Sequence, residues 1–110
     1  MKKTLIIHGI VAKVIKELPS EVKFDLAEVF TKLQYGMVLG LPISRPMPVV
    51  QTGAHEIRLH DRSKSYRVFY YVKSHQGILV FHIFEKKTQK TTERQIRLAK
   101  IRLKEMLKND

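Results

Sequence analysis

The sequence predicts a single α+β domain spanning residues 1–110, a curved antiparallel sheet packed against two N-terminal helices, with a further helix at the C-terminus. Three observations point there. Apolar residues recur at helical spacing between 10 and 33; segments dense in aromatic and β-branched residues follow between 66 and 84; helical spacing then returns after a capping signal at 92. A chain of 110 residues holds one core and is too short for two.

Thr4 to Ile7 is β-branched and aliphatic, and predicts a short first strand. Ile10, Val11, Val14, Ile15 and Leu18 then follow a helical period that Pro19 ends. Ser20 is a candidate N-cap for a second helix, in which Val22, Leu26, Val29 and Leu33 form one stripe, and Gly36 closes it. The short turn between them predicts an antiparallel helix hairpin. Gly40, Pro42, Pro46, Pro48 and Gly53 break up residues 40–55, which read as a loop within the domain. Glu56 to His60, Tyr66 to Lys73 and Ile78 to Phe84 read as three strands of an antiparallel meander, with a hairpin turn at His75-Gln76-Gly77. Thr92-Glu93-Arg94-Gln95 has the form of a capping box and opens the last helix. There Ile96, Ala99, Leu103 and Met106 face inward, and Arg94, Arg97, Lys100, Lys104 and Lys108 face outward. The expected layers are a sheet with its helices on one side.

Composition excludes several classes. With 44% hydrophobic residues the chain folds, and with no cysteine it has no disulfide framework, thiolate metal site or cysteine nucleophile. No apolar run approaches the roughly 20 residues that span a bilayer. Met1-Lys2-Lys3 is basic, but Thr4 to Ile7 is too short for a signal-peptide core, so a cytoplasmic protein without membrane contact is expected.

Charge is the most informative bulk property. Lys and Arg number 21 against 10 Asp and Glu, a net charge of +11. The excess is uneven: residues 1–50 carry seven basic and four acidic side chains, residues 51–110 fourteen and six. Such a field concentrates polyanions, and the clustering favours nucleic acid or the ribosome over a membrane surface. The C-terminal segment has no Trp or Phe for a lipid-facing side.

Phosphate loops, GxSxG and HExxH are absent from the sequence. His8, His55, His60, His75 and His82 lack zinc spacing, although His60 and His82 lie on strands where they could approach each other; no metal and no cofactor is expected. What remains is a set of cations on strands: Arg58, Arg67, and Lys86 with Lys87 at the end of the last one. Antiparallel neighbours can bring such side chains to one phosphate. Phe69 and Tyr71 share Arg67's face, and Tyr66, Val68, Tyr70 and Val72 the other. The competing reading makes Arg67 a partly buried structural arginine paired with Glu56 or Asp61. Gln89, Lys90 and the start of the last helix add a candidate anion site. Lys90, Arg94, Arg97, Lys100 and Lys104 are the candidate RNA- or ribosome-binding residues.

The runs His-Glu-Ile-Arg-Leu (55–59), Tyr-Arg-Val-Phe-Tyr-Tyr-Val (66–72), Phe-His-Ile-Phe-Glu-Lys-Lys-Thr-Gln-Lys-Thr (81–91) and Ala-Lys-Ile-Arg-Leu-Lys-Glu (99–105) resemble the phage-derived HigB-like toxin family of the RelE superfamily. The resemblance covers about residues 8–107, and the Lys-Lys-Thr-Gln-Lys-Thr block is its most specific part. It implies a RelE-like fold and the toxin of a type II toxin–antitoxin system, a metal-independent, ribosome-dependent endoribonuclease that cleaves messenger RNA. It also implies a helix-turn-helix, HigA-like antitoxin as partner. Arg58 and Arg67 fall where RelE-like toxins place cations around the scissile phosphate, and Lys86, with Lys87, falls near a further basic catalytic position at the end of the last strand. Two departures stand out: the chain has no tyrosine after Tyr71, and no His-Asp-His site is evident. General base and acid stay open, as does oligomeric state. The alternatives are a non-catalytic RNA- or ribosome-binding module, and an inactive toxin-fold protein acting through protein partners.

Overall fold

Local chemistry sets where each helix begins and ends in the computed structural model, which describes residues 2–74 and 77–108. After β1 (Thr4–Ile7), His8 caps α1 (Gly9–Lys16), its Nδ1 accepting from the Ile10 amide at 3.2 Å. Pro19, rather than Ser20, takes the N-cap position of α2 (Ser20–Gln34), without a side-chain cap. The exit of α2 is a Schellman motif: Gly36 N–H donates to Leu33 O and Met37 N–H to Lys32 O, both at 3.0 Å. Gly36 has φ +86°, a conformation that Cβ-bearing residues avoid. Val22, Leu26, Val29 and Leu33 are all buried, as their spacing requires, whereas Ile10 and Val14 on α1 stay exposed.

The remaining elements are β2 (Ser44–Pro46), β3 (Ala54–His60), β4 (Ser65–Ser74), β5 (Gly77–Lys86) and α3 (Glu93–Lys108). They form a five-stranded sheet in the order β1-β5-β4-β3-β2. The meander β3-β4-β5 is antiparallel, and β1 adds to the outer edge of β5 in parallel. The expected turn at His75-Gln76 lies outside the described residues.

Two expectations need correction. Residues 40–55 are not all loop, because Ser44 to Pro46 forms β2 antiparallel to β3. Three residues are too few to show a period, and Pro46 is tolerated because β2 is an edge strand. Nor do the helices share one side of the sheet. α1, α2 and the turn between them cover one face with Val11, Leu18, Val22 and Leu26, against Ile57, Val68, Tyr70 and Val80. α3 covers the other with Ala99 and Leu103, against Phe69, Leu79 and Phe81. Phe69 and Phe81 are fully buried, so the second face is apolar as well and needs its own cover.

A β-bulge in β5 controls what lies on the α3 face. Phe69 pairs with His82 and Tyr70 with Val80, leaving Phe81 as the extra residue. Phe81 and His82 therefore both turn toward α3, and the alternation of β5 reverses beyond them: Ile83 rejoins the α1–α2 core, while Phe84 packs with Phe69. In a regular strand Lys86 would share the face of Ile78 and Val80. The bulge puts it on the face of Arg67 instead.

Candidate functional site

Glu56, Arg58, Arg67 and Lys86 occupy the α3 face of β3, β4 and β5 near one end of the sheet. Arg58 lies opposite Arg67, and Lys86 opposite Ser65, two residues along from Arg67. Arg45 on β2 lies opposite Glu56. Four cations thus surround one carboxylate, and that carboxylate is completely buried, 0% exposed.

Glu56 binds two arginines through its two oxygens. Arg45 Nε donates to Oε2 at 2.5 Å, and Arg67 Nε lies 3.6 Å from Oε1. Beyond these ion pairs, Oε1 and the Arg67 Nε have no hydrogen-bond partner. Arg67 Nη1 donates to its neighbour's carbonyl, Tyr66 O, at 3.1 Å. Of the two partners considered for Arg67, Glu56 is the one present. Asp61 instead accepts from the Ser63 and Lys64 amides in the β3–β4 turn, and these donors lower its pKa.

Burial lowers the pKa of Arg67, Glu56 opposes that, and Arg58 and Arg45 add repulsion. Lys86 is likewise pushed below the usual lysine range, first by burial and then by Arg67. Its Nζ donates to Gln89 O at 2.8 Å, which ties the end of β5 to the loop before α3. Lys87, past the strand end, is exposed and does not line the cleft described below.

That cleft, of about 880 Å³, opens between the β2–β3 connection and the start of α3. Arg45, Lys86, Lys90, Arg97 and Lys100 supply its cations, Glu93 one carboxylate, and Pro46 to Val49 with Ile96 its apolar lining. Arg94 and Lys104 are exposed on α3 outside the lining, while Arg58 and Arg67 lie behind it. At 8% exposed, Arg67 is much less open to a ligand than its residue type suggests.

His82 stands apart from the cations. Arg102 Nη1 donates to its Nδ1 at 2.8 Å, so the ring proton sits on Nε2, which donates to Gln95 Oε1 at 2.7 Å. Burial lowers its pKa to about 4, and Arg102 and His8 contribute. It is a neutral structural histidine. His60 pairs with Ser65 at the strand end, so the two histidines do not meet. Among the described residues no group of three or more His, Asp or Glu could hold a metal ion.

Arg45 was absent from the candidates drawn from sequence, and Glu56 figured only as a possible partner. β2 hides Arg45 in a proline-broken stretch, and the alternation of β3 alone does not reveal that Glu56 is enclosed.

The family model described as phage-derived protein Gp49-like (DUF891) matches residues 13–104. No curated protein matches the chain. Among solved structures the chain is similar to the E. coli toxin RelE, an arginine-to-alanine double mutant in the free state. The TM-score is 0.60 at 18% identity, over 96% of this chain and 99% of that one.

Proposed function

This chain belongs to the phage-derived Gp49-like family and has the fold of the RelE toxin, and on that premise we propose that it is a ribosome-dependent messenger-RNA endoribonuclease restrained by a helix-turn-helix antitoxin. The observation that carries the proposal is the convergence of Arg45, Arg58, Arg67 and Lys86 on one sheet face, where Arg45 and Lys86 line a cleft whose other cations come from α3 and the loop before it.

Cleavage of RNA by its own 2′-hydroxyl needs that hydroxyl deprotonated, the phosphorane charge stabilised and the leaving 5′-oxygen protonated. Arginine stays protonated, so Arg58 and Arg67 supply fixed positive charge. Lys86, with its pKa pushed down, is the proton-transfer candidate, and Lys87 lies beside it in sequence. Lys90, Arg97 and Lys100 hold the strand by its phosphates, with Arg94 and Lys104 extending the contact along α3 toward ribosomal RNA. His82 takes no part, since both its nitrogens are engaged. The ribosome orders the messenger, and orientation supplies much of the rate.

The test is expression in bacteria with and without the cognate antitoxin, with mapping of new 5′ ends on messenger RNA. Growth arrest with new ends, both relieved by the antitoxin, supports the proposal. Arrest without new ends points to a steric RNA or ribosome binder, and normal growth with soluble protein to an inactive member acting through protein partners.

A further inference from the structure

We infer that Arg45 is a phosphate-contacting residue of the cleft and that Glu56 is the positioning residue that aims it, an inference that rests on RNA as the ligand but not on cleavage. Glu56 is 0% exposed, and a buried carboxylate is costly even when paired, so an apolar residue would serve stability alone as well. What the carboxylate achieves is geometric. It engages the Nε of Arg45 with one oxygen and faces the Nε of Arg67 with the other. Held through Nε, Arg45 keeps its two terminal nitrogens for an anion, the fork that phosphate recognition uses.

Exposure separates the two arginines. The Arg45 side chain is 46% exposed and lines the cleft beside Lys86, whereas Arg67 lies beneath it. The backbone reinforces the arrangement. Arg45 pairs with Glu56 in the β2–β3 ladder, and β2 is anchored by the buried bond between Ser44 Oγ and Tyr70 Oη at 2.8 Å. Arg45 is thus the outermost guanidinium of the cluster, and Arg67 supports it from behind.

The test uses a 2′-O-methylated single-stranded oligoribonucleotide, which binds but lacks the nucleophile, with anisotropy read across a salt series. Arg45→Ala should weaken binding about tenfold, the scale of one charge-assisted hydrogen bond. It should also flatten the salt slope by about 0.7, the share of one phosphate contact on a single strand. Glu56→Gln is diagnostic in sign. Removing a negative charge would by Coulomb attraction alone tighten binding, whereas loss of positioning weakens it. In the Glu56→Gln background Arg45→Ala should cost no more than about twofold, because the two residues act as one unit.

Arg45→Ala with wild-type affinity and slope overturns the inference, as does Glu56→Gln that binds more tightly with the Arg45 effect undiminished. Should Glu56→Gln fail to fold, Arg45→Lys decides: it keeps the charge and loses Nε, so the slope should hold while affinity falls, and wild-type affinity overturns the inference. Wild-type protein that binds the oligomer but leaves ribosome-bound messenger intact removes the nuclease reading and leaves this one standing. Wild-type protein that does not bind the oligomer overturns this inference, while cleavage of ribosome-bound messenger by the same protein would leave the nuclease reading standing.

Discussion

Arg102 Nη1 donates to His82 Nδ1 at 2.8 Å beneath α3, and burial first, with this contact adding to it, keeps the imidazole neutral. A proton on Nδ1 would displace the bond and place two cations together away from water. Gln95 completes the arrangement from the first turn of the same helix, so one buried ring fastens α3 at two points along its length.

Stability should therefore fall with acidification in a defined window. The unfolded imidazole takes up its proton near 6.5 and the folded one only near 4, so between these values the unfolded state binds more protons. Stability rises with pH across that window, by up to about 3 kcal/mol from this residue, and the slope vanishes below it. Urea titrations at several pH values, compared with His82→Gln, isolate the contribution. An unchanged pH slope in the variant would refute it.

The capping signal makes a more modest forecast. Thr92 Oγ1 accepts from the Gln95 amide at 3.3 Å, as the box predicts, but the reciprocal arm is missing because Gln95 has turned to His82. Thr92→Ala should cost about 1 kcal/mol, a single cap. Gln95→Ala should cost more, since it strands a buried imidazole N–H. Equal losses in thermal melts would mean that the His82 contact contributes little.

Much of the fold is legible in the residues themselves. The stripe Val22, Leu26, Val29 and Leu33, the glycine exit at Gly36 and the Thr92 cap each follow from local rules. The face shared by Arg67 and Phe69 follows from alternation. Arg45 and the true setting of Lys86 do not. A three-residue strand containing Pro46 carries no period, and its register is set by pairing with β3. Lys86 reaches the Arg67 face only because Phe81 is bulged, and a bulge leaves no mark in the hydrophobic pattern of Ile78 to Phe84. The placement of α3 opposite α1 and α2 is hidden too, because β4 and β5 read as apolar on both faces without saying which helix covers which.

Lys100 tests the binding surface apart from the chemistry. It is exposed on α3 and lines the cleft. Lys100→Ala should leave the fold unchanged and lower the salt dependence of RNA or ribosome binding by about 0.7 to 0.9, the share of a single phosphate. A sedimentation assay at several salt concentrations reads this directly. An unaltered slope would remove Lys100 from the interface.

Arg67 and Lys86 should part company when each is replaced by alanine. Both substitutions are expected to abolish or greatly reduce messenger cleavage, because both remove positive charge from the same sheet face. Their structural costs differ. Arg67 is 8% exposed and faces a carboxylate with no access to water, so Arg67→Ala leaves Glu56 dependent on Arg45 alone. Breaking a buried pair in this way costs about 3 kcal/mol. Lys86 is partly exposed and donates only to a loop carbonyl, Gln89 O, so Lys86→Ala should cost under about 1 kcal/mol. Arg67→Lys keeps the charge but lacks the Nε that faces Glu56, and should fall well short of wild type in both respects. Adding Glu56→Gln to Arg67→Ala should restore part of the stability by removing the stranded charge, without restoring cleavage. Urea midpoints and messenger cleavage on programmed ribosomes separate the two effects. Folded Arg67→Ala cleaving at the wild-type rate would move the reaction away from this face, and Lys86→Ala as unstable as Arg67→Ala would contradict the geometry on which the distinction rests.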